Sequence, residues 1–278
     1  MRKKPFNVRK FVSELILLLA TIVLLTPIYY FVIGSFKTRK QIIQHPLSIT
    51  RSMFTLENFP KAIKAMKYWK AVRNTGLITL ISLLLIILLA SLAGFAIARL
   101  HHRVFQIYYS LLVVCMVVPF VSCVIPLVVQ TVKLGIHNTI WGPALIQVGW
   151  NIPFATFLFT GFMRGISRDL EDAAYIDGCS MLGVYSRIFL PLLAPVTASC
   201  CIVCGIGIWN DYLVCSTILS ATDYPTLMVG LNTFFGAKAN EYGYAFAGVL
   251  LSSLPIIVLF LFLQKYFIKG ITAGSLKG

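Results

Sequence analysis

The strongest constraint on this chain is where charge is missing. Residues 15–36, 74–98, 104–132, 138–163 and 242–264 contain no Asp, Glu, Lys or Arg, and 188–222 contains one, Asp211. Each stretch has the roughly 20 residues an α-helix needs to cross a hydrocarbon core. In a bilayer the backbone polar groups must bond within the segment, which makes these segments helices. The pattern predicts an all-α integral membrane protein with six transmembrane spans in a single domain, 1–278. The spans are placed at about 12–36, 74–98, 104–132, 138–163, 192–220 and 242–264.

Composition agrees. Hydrophobic residues are 58% of the chain and charged residues 12%, against about 45–50% and ~25% in soluble domains. An ordinary soluble enzyme, a disordered chain and a fibre are excluded. The formal net charge is +15. Its Lys and Arg sit in short blocks between apolar runs, which reads as flanks of membrane helices rather than a nucleic-acid surface. The start (Arg2, Lys3, Lys4, Arg9, Lys10) imitates a signal peptide. The apolar stretch behind it is about twice a usual signal core and has no small-residue cleavage site, so it reads as an uncleaved anchor.

Six spans put both termini on one side. With that side cytoplasmic, the inner segments carry 13 Lys or Arg and the outer ones 11, nine of them between 37 and 73. Long loops weigh little in the positive-inside rule, and the short loops favour cytoplasmic termini. The exterior loop, 37–71, is expected to form a small cap with one amphipathic helix between Phe59 and Trp69. Pro119, Pro126, Pro143, Pro153, Pro195 and Pro255 punctuate the spans, as in transporters whose freed backbone groups line a cavity.

The seven cysteines do not form a disulfide framework. Cys201 and Cys204 make a C-x-x-C pair, readable as redox or metal chemistry or as small packing residues on a buried helix. No second ligand pair lies near His101-His102, which marks a polar loop. No metal site is expected.

Chemistry concentrates in the loop 164–190. Four of the nine acidic residues, Asp169, Glu171, Asp172 and Asp177, fall there within nine positions. Acids early in a helix complement its dipole, and Gly178 is a natural C-terminal stop. Leu170, Ala173, Ala174 and Asp177 are expected on one shallow face suited to a partner's groove. Ser180 can cap a second short helix, 181–189, ended by Pro191. The result is a helical elbow on the cytoplasmic side between spans four and five, either a docking element or a solvated loop.

The spacing Asp172-Ala173-Ala174, three residues, Gly178, nine residues, Ile188-Phe189-Leu190-Pro191 resembles the EAA loop of ABC-importer permeases, E-A-A-x3-G-x9-I-x-L-P. Asp172 stands where that family has Glu, and Cys179 where it has a small Ala. Trp209-Asn210-Asp211-Tyr212 resembles the family's W-N-(D/E)-aromatic element. The ending Gln264–Gly278 resembles the Q-(R/K)-Y-F-x-x-G-(L/I)-T-A-G-x-x-K-G tail of the carbohydrate-uptake class, which includes the smaller permease of maltose-type systems.

The resemblance implies a bacterial cytoplasmic-membrane machine with two permeases, usually different, two ATPases and an extracytoplasmic sugar-binding protein. Its coupling residues would be Glu171, Asp172, Ala173, Ala174, Asp177, Gly178, Ile188 and Pro191, with a tail contact from Gly270–Gly278. The chain has no G-x4-G-K-(S/T) motif, so it is expected to be no enzyme and to bind no cofactor, with ATP and Mg held by the partner ATPases. A sugar path needs hydrogen bonds inside the membrane. The candidates are Gln147, Trp150 and Asn151 in span four and Asn210 and Asp211 in span five. Asp211 is also readable as a bond to a neighbouring helix. A secondary transporter or channel is the alternative, and it would want more than one deep charge.

Overall fold

The computed structural model describes residues 8–48, 54–100, 102–235 and 242–275, and every regular element among them is a helix. In order these are α1 (Val8–Gly34), α2 (Arg39–Gln44), α3 (Asn58–Ala65), α4 (Tyr68–Arg99), α5 (Arg103–Cys115), α6 (Phe120–Lys133) and α7 (Trp141–Arg164). Then come α8 (Asp169–Ile176), α9 (Met181–Val184), a π-helical turn (Tyr185–Phe189), α10 (Leu190–Leu192), α11 (Ala194–Trp209), α12 (Leu213–Ile218), α13 (Leu227–Asn232), a 3-10 turn (Thr233–Phe235) and α14 (Tyr242–Ser275).

Four helices, α1, α4, α7 and the Tyr242–Phe262 part of α14, are each long and apolar enough to cross a membrane. Two bent pairs complete six if each counts as one span. The stretch 104–132, expected as one straight span, is α5 and α6 bent by 107°. Pro119 forces the break: it donates no backbone bond, disfavours helix in the residue before it, and caps α6 in an extended conformation. Span five, expected as 192–220, is also interrupted. Helix α11 stops at Trp209, Asn210–Tyr212 lie outside regular helix, and α12 follows. The expected exterior loop holds two short helices, α2 and α3, rather than one, and α4 begins at Tyr68, earlier than 74. Helix α14 continues past the expected end at 264 to Ser275.

The chain divides into two compact units, Met1–Tyr68 with Leu231–Ser253, and Trp69–Gly230 with Leu254–Gly278. In the first, the buried Asn58 amide donates to the carbonyls of Ser35 and Lys37, both at 2.8 Å, and Lys37 Nζ donates to the carbonyls of His45 and Pro46. The loop thus ties itself around the end of α1. Phe246 of α14 meets Tyr30 and Phe31 edge-on at 5.3 and 5.1 Å. Most of α1 leaves its apolar surface uncovered within the chain.

In the second unit α4 and α7 pack through small residues, the usual solution in a membrane. Ser82 Oγ donates to the Ala144 carbonyl, and Ala90 and Ala155 are fully buried. Gly94 lets the backbones meet: a Cβ there would lie 2.9 Å from Phe159 Cβ and 3.1 Å from Thr160 N. Phe95 of α4 meets Tyr185 and Phe189 edge-on, and Ser91 Oγ lies 2.8 Å from Tyr185 Oη. These contacts seat the segment that follows the elbow on α4.

Candidate functional site

The acidic segment forms the expected elbow, and its stop follows from local chemistry. Gly178 has φ +80°, the left-handed conformation that glycine adopts at least cost. Its N–H donates to the Tyr175 carbonyl at 3.0 Å, and the Cys179 N–H donates to the Ala174 carbonyl at 2.9 Å. Those two bonds are a Schellman motif, which satisfies carbonyls the helix end would leave open. Ser180 is extended, and its Oγ accepts from the Gly183 N–H at 3.2 Å, capping the next helix as expected.

That next helix ends one residue past Pro191, at Leu192. Met181–Leu192 runs on through the π turn and meets α11 at a bend of 69°. The Leu190 N–H donates to Tyr185 O, five residues back. This wider turn stands just before Pro191, which has no N–H to give and whose ring crowds the carbonyl four residues back. Ile188 is half-buried and Pro191 exposed.

The elbow's faces differ from the expected arrangement. Ala174 is buried, whereas Leu170, Ala173 and Asp177 are exposed. The inward side is Glu171 with Ala174, three residues apart. Glu171 is 8% exposed, and its Oε2 lies 3.0 Å from Arg99 Nε at the end of α4. Arg99 also donates through Nη2 to the carbonyls of Met163 and Ile166, both at 2.9 Å, and its guanidinium lies 4.9 Å from the Phe189 ring. Asp172 is exposed beside a cleft of about 200 Å³ that Tyr175 and Met181 also line. Ile176 is 86% exposed and Leu182 69%.

The intramembrane candidates split. Gln147 is buried on α7, and Asn151 Nδ2 donates to its carbonyl at 2.8 Å and to its Oε1 at 3.2 Å. Asp211 Oδ1 accepts from the Cys215 N–H at 3.0 Å and Oδ2 from the Val214 N–H at 3.5 Å, so the carboxylate caps α12. Gln147 and Asn151 are therefore bonded to each other, and Asp211 is bonded to the start of α12. Trp150 points elsewhere, edge-on to Phe120 at 4.8 Å, and Asn210 is exposed at the end of α11.

Arg99 escaped the sequence reading, where it counted only as a loop charge. The question that finds it is which base neutralises a Glu on the inward side of the elbow. Among the described residues no group of three or more His, Cys, Asp or Glu is placed to hold a metal. Cys204 Sγ lies 3.9 Å from Cys200 Sγ, one helical turn away. His101 and the end of the tail, 276–278, lie outside the described residues.

Residues 86–273 match the family described as the binding-protein-dependent transport system inner membrane component. The chain is 37% identical over 225 residues to the melibiose/raffinose/stachyose import permease protein of Bacillus subtilis strain 168, covering 81% of this chain and 82% of that one. It is 30% identical over 277 residues, all of both chains, to a probable starch degradation products transport system permease protein of Thermoanaerobacterium thermosulfurigenes. A solved bacterial ABC transporter involved in import of the acidic polysaccharide alginate shares the fold, with a TM-score of 0.77 and 20% identity over 95% of this chain and 100% of that one.

Proposed function

The chain belongs to the family of binding-protein-dependent transport system inner membrane components and is a permease subunit of an ATP-driven importer, and from that premise we propose that its cargo is an oligosaccharide and that the elbow is where the ATPase engages it. The observation that carries the docking reading is α8 itself. It has a rigid glycine stop, exposed Asp172 and Asp177, exposed Ile176, and an inner side anchored by Glu171. Leu170 and Ala173 complete the outward surface. Closure of the ATPases around bound ATP and Mg displaces α8, and the spans change tilt, which is alternating access driven from one contact. The partners are a second, different permease, two ATPases and an extracytoplasmic sugar-binding protein.

The carbohydrate reading is supported by the names of the relatives and by the polar residues Gln147, Asn151 and Asp211 in spans four and five. These residues bond mainly to protein, so they shape the path more than they hold the sugar. The test is uptake by cells or proteoliposomes carrying the whole complex, given labelled raffinose, maltotriose and arabinotriose with labelled amino acids as controls. Accumulation of an oligosaccharide that depends on ATP and on this chain is expected. Uptake of an amino acid with none of the sugars would overturn the reading.

With the elbow at the ATPase, both termini and 164–190 are cytoplasmic. A phosphatase reporter fused after Gly278 is expected to be inactive and a fluorescent protein there bright; the opposite pattern refutes the topology.

Gly178 gives a graded test. No atom lies within 4 Å of a Cβ built there, so a side chain meets backbone strain but no clash. Left-handed backbone costs an alanine about 1–2 kcal/mol, and Asn tolerates it better. Gly178→Ala is expected to lower ATPase co-purification and uptake while the permease still accumulates, with Gly178→Asn nearer normal. Normal coupling in Gly178→Ala would show that the turn does not set the docking geometry.

A further inference from the structure

Arg99 does more than neutralise Glu171. From the end of α4 its guanidinium reaches three other elements: the last carbonyls around α7, at Met163 and Ile166, the α8 carboxylate, and the Phe189 ring in the π turn. The Arg99 side chain is 6% exposed and that of Glu171 11%. Only a planar fork can serve carbonyls on one side and a carboxylate on another, and a Lys ammonium cannot reproduce it. A buried ion pair is weak evidence for stability, because desolvation offsets much of the attraction. What the guanidinium adds is a tie between elements that packing alone would let slide: two directional hydrogen bonds to the carbonyls at the end of α7 and a close ion pair to α8.

Nothing about docking requires such a device, since the outward surface of α8 is complete without it. We infer that Arg99 is a positioning residue for energy coupling, locking the elbow to the ends of α4 and α7. A displacement imposed on α8 then moves both spans as one body. The α4–α7 side of the joint is itself stiff, because Gly94 brings the two backbones into contact little more than a turn earlier. Coupling between sites is reciprocal, so a signal from the exterior binding protein to the ATPase crosses the same joint. This inference rests on reading the elbow as the docking element.

The test uses the full complex with Arg99→Gln, Arg99→Lys and, as an outward-facing control, Asp172→Lys. Four quantities are read: ATPase co-purification, ATP hydrolysis alone, hydrolysis with sugar-loaded binding protein, and uptake, using the sugar that the unmodified complex takes up. Arg99→Gln leaves Glu171 without its counter-charge and is expected to accumulate less, while the complex that does form hydrolyses ATP alone at the normal rate per complex. Stimulation by the binding protein and uptake fall about tenfold, an ordinary size for a lost coupling. Arg99→Lys keeps the charge and loses the fork, so it falls in between. If Arg99→Gln does not accumulate, Arg99→Lys carries the test.

Normal stimulation in both Arg99 variants, or a loss only in proportion to lost complex, overturns the inference. Asp172→Lys separates the two readings. If it loses the ATPase while the Arg99 variants couple normally, only the clamp fails. If Asp172→Lys itself assembles and transports normally, the docking reading fails.

Discussion

Glu171→Lys is expected to keep the permease from accumulating in the membrane. The new ammonium would lie next to Arg99, whose side chain is 6% exposed and already holds two carbonyls. Removing one partner of a buried pair costs roughly 3–5 kcal/mol, because the other charge is left uncompensated, and reversing the sign adds repulsion. That is a large share of the roughly 5–15 kcal/mol that holds a domain folded. Glu171→Gln keeps an acceptor oxygen of nearly the same shape and is expected to be milder. Membrane abundance and melting temperature in detergent measure both. Normal abundance and melting of Glu171→Lys would mean that the Arg99 pair does not hold the elbow.

What could be read from the sequence depended on how far the deciding interaction reaches along the chain. The six spans follow from missing charge. The elbow's stop and restart follow from Gly178 and Ser180, whose bonds stay within five residues. The inward and outward sides of α8 do not follow from its own residues. Glu171 and Asp172 are alike in chemistry, and an amphipathic pattern is too short over one eight-residue helix to orient it. The choice is made by Arg99, 72 positions earlier, which has to be brought alongside before it can select one carboxylate.

Bends were harder for another reason. Pro119 and Pro126 both stood in the third apolar run, yet Pro126 lies inside α6 and only Pro119 breaks the path. A proline near the start of a helix leaves no donor unmet, and whether one begins or interrupts a helix depends on what the freed carbonyls meet. Pro191 shows the same ambiguity: a widened turn before it absorbs the conflict and the helix runs one residue further, to Leu192. Among the intramembrane polar residues, the W-N-D element singled out Asp211 but left its work open. The structure spends its carboxylate on α12, because an interrupted span exposes amide groups that a bilayer cannot satisfy.

The adjacent residue is expected to give the opposite phenotype. Asp172→Lys is expected to accumulate normally and to lose the ATPase. Its carboxylate is exposed, and no ion pair within the described chain uses it, so reversing it leaves the permease's own packing alone. If the ATPase offers a basic group there, the new Lys sets like charges together at a partly desolvated contact, where repulsion can cost several kcal/mol. Asp172→Glu should be tolerated, since charge and acceptor geometry survive one added methylene. Asp172→Ala should fall between. Glu171 cannot stand in for it, because Glu171 is turned inward and held by Arg99, which makes the alanine variant more damaging than two neighbouring, interchangeable acids would allow. If Asp172 merely favoured the helix dipole, worth roughly 0.3–1 kcal/mol, all three variants would be mild and similar. Co-purification of the ATPase and uptake, both normalised to permease abundance, decide between these outcomes. An Asp172→Lys complex that assembles and transports like the unmodified one would remove this residue from the docking surface.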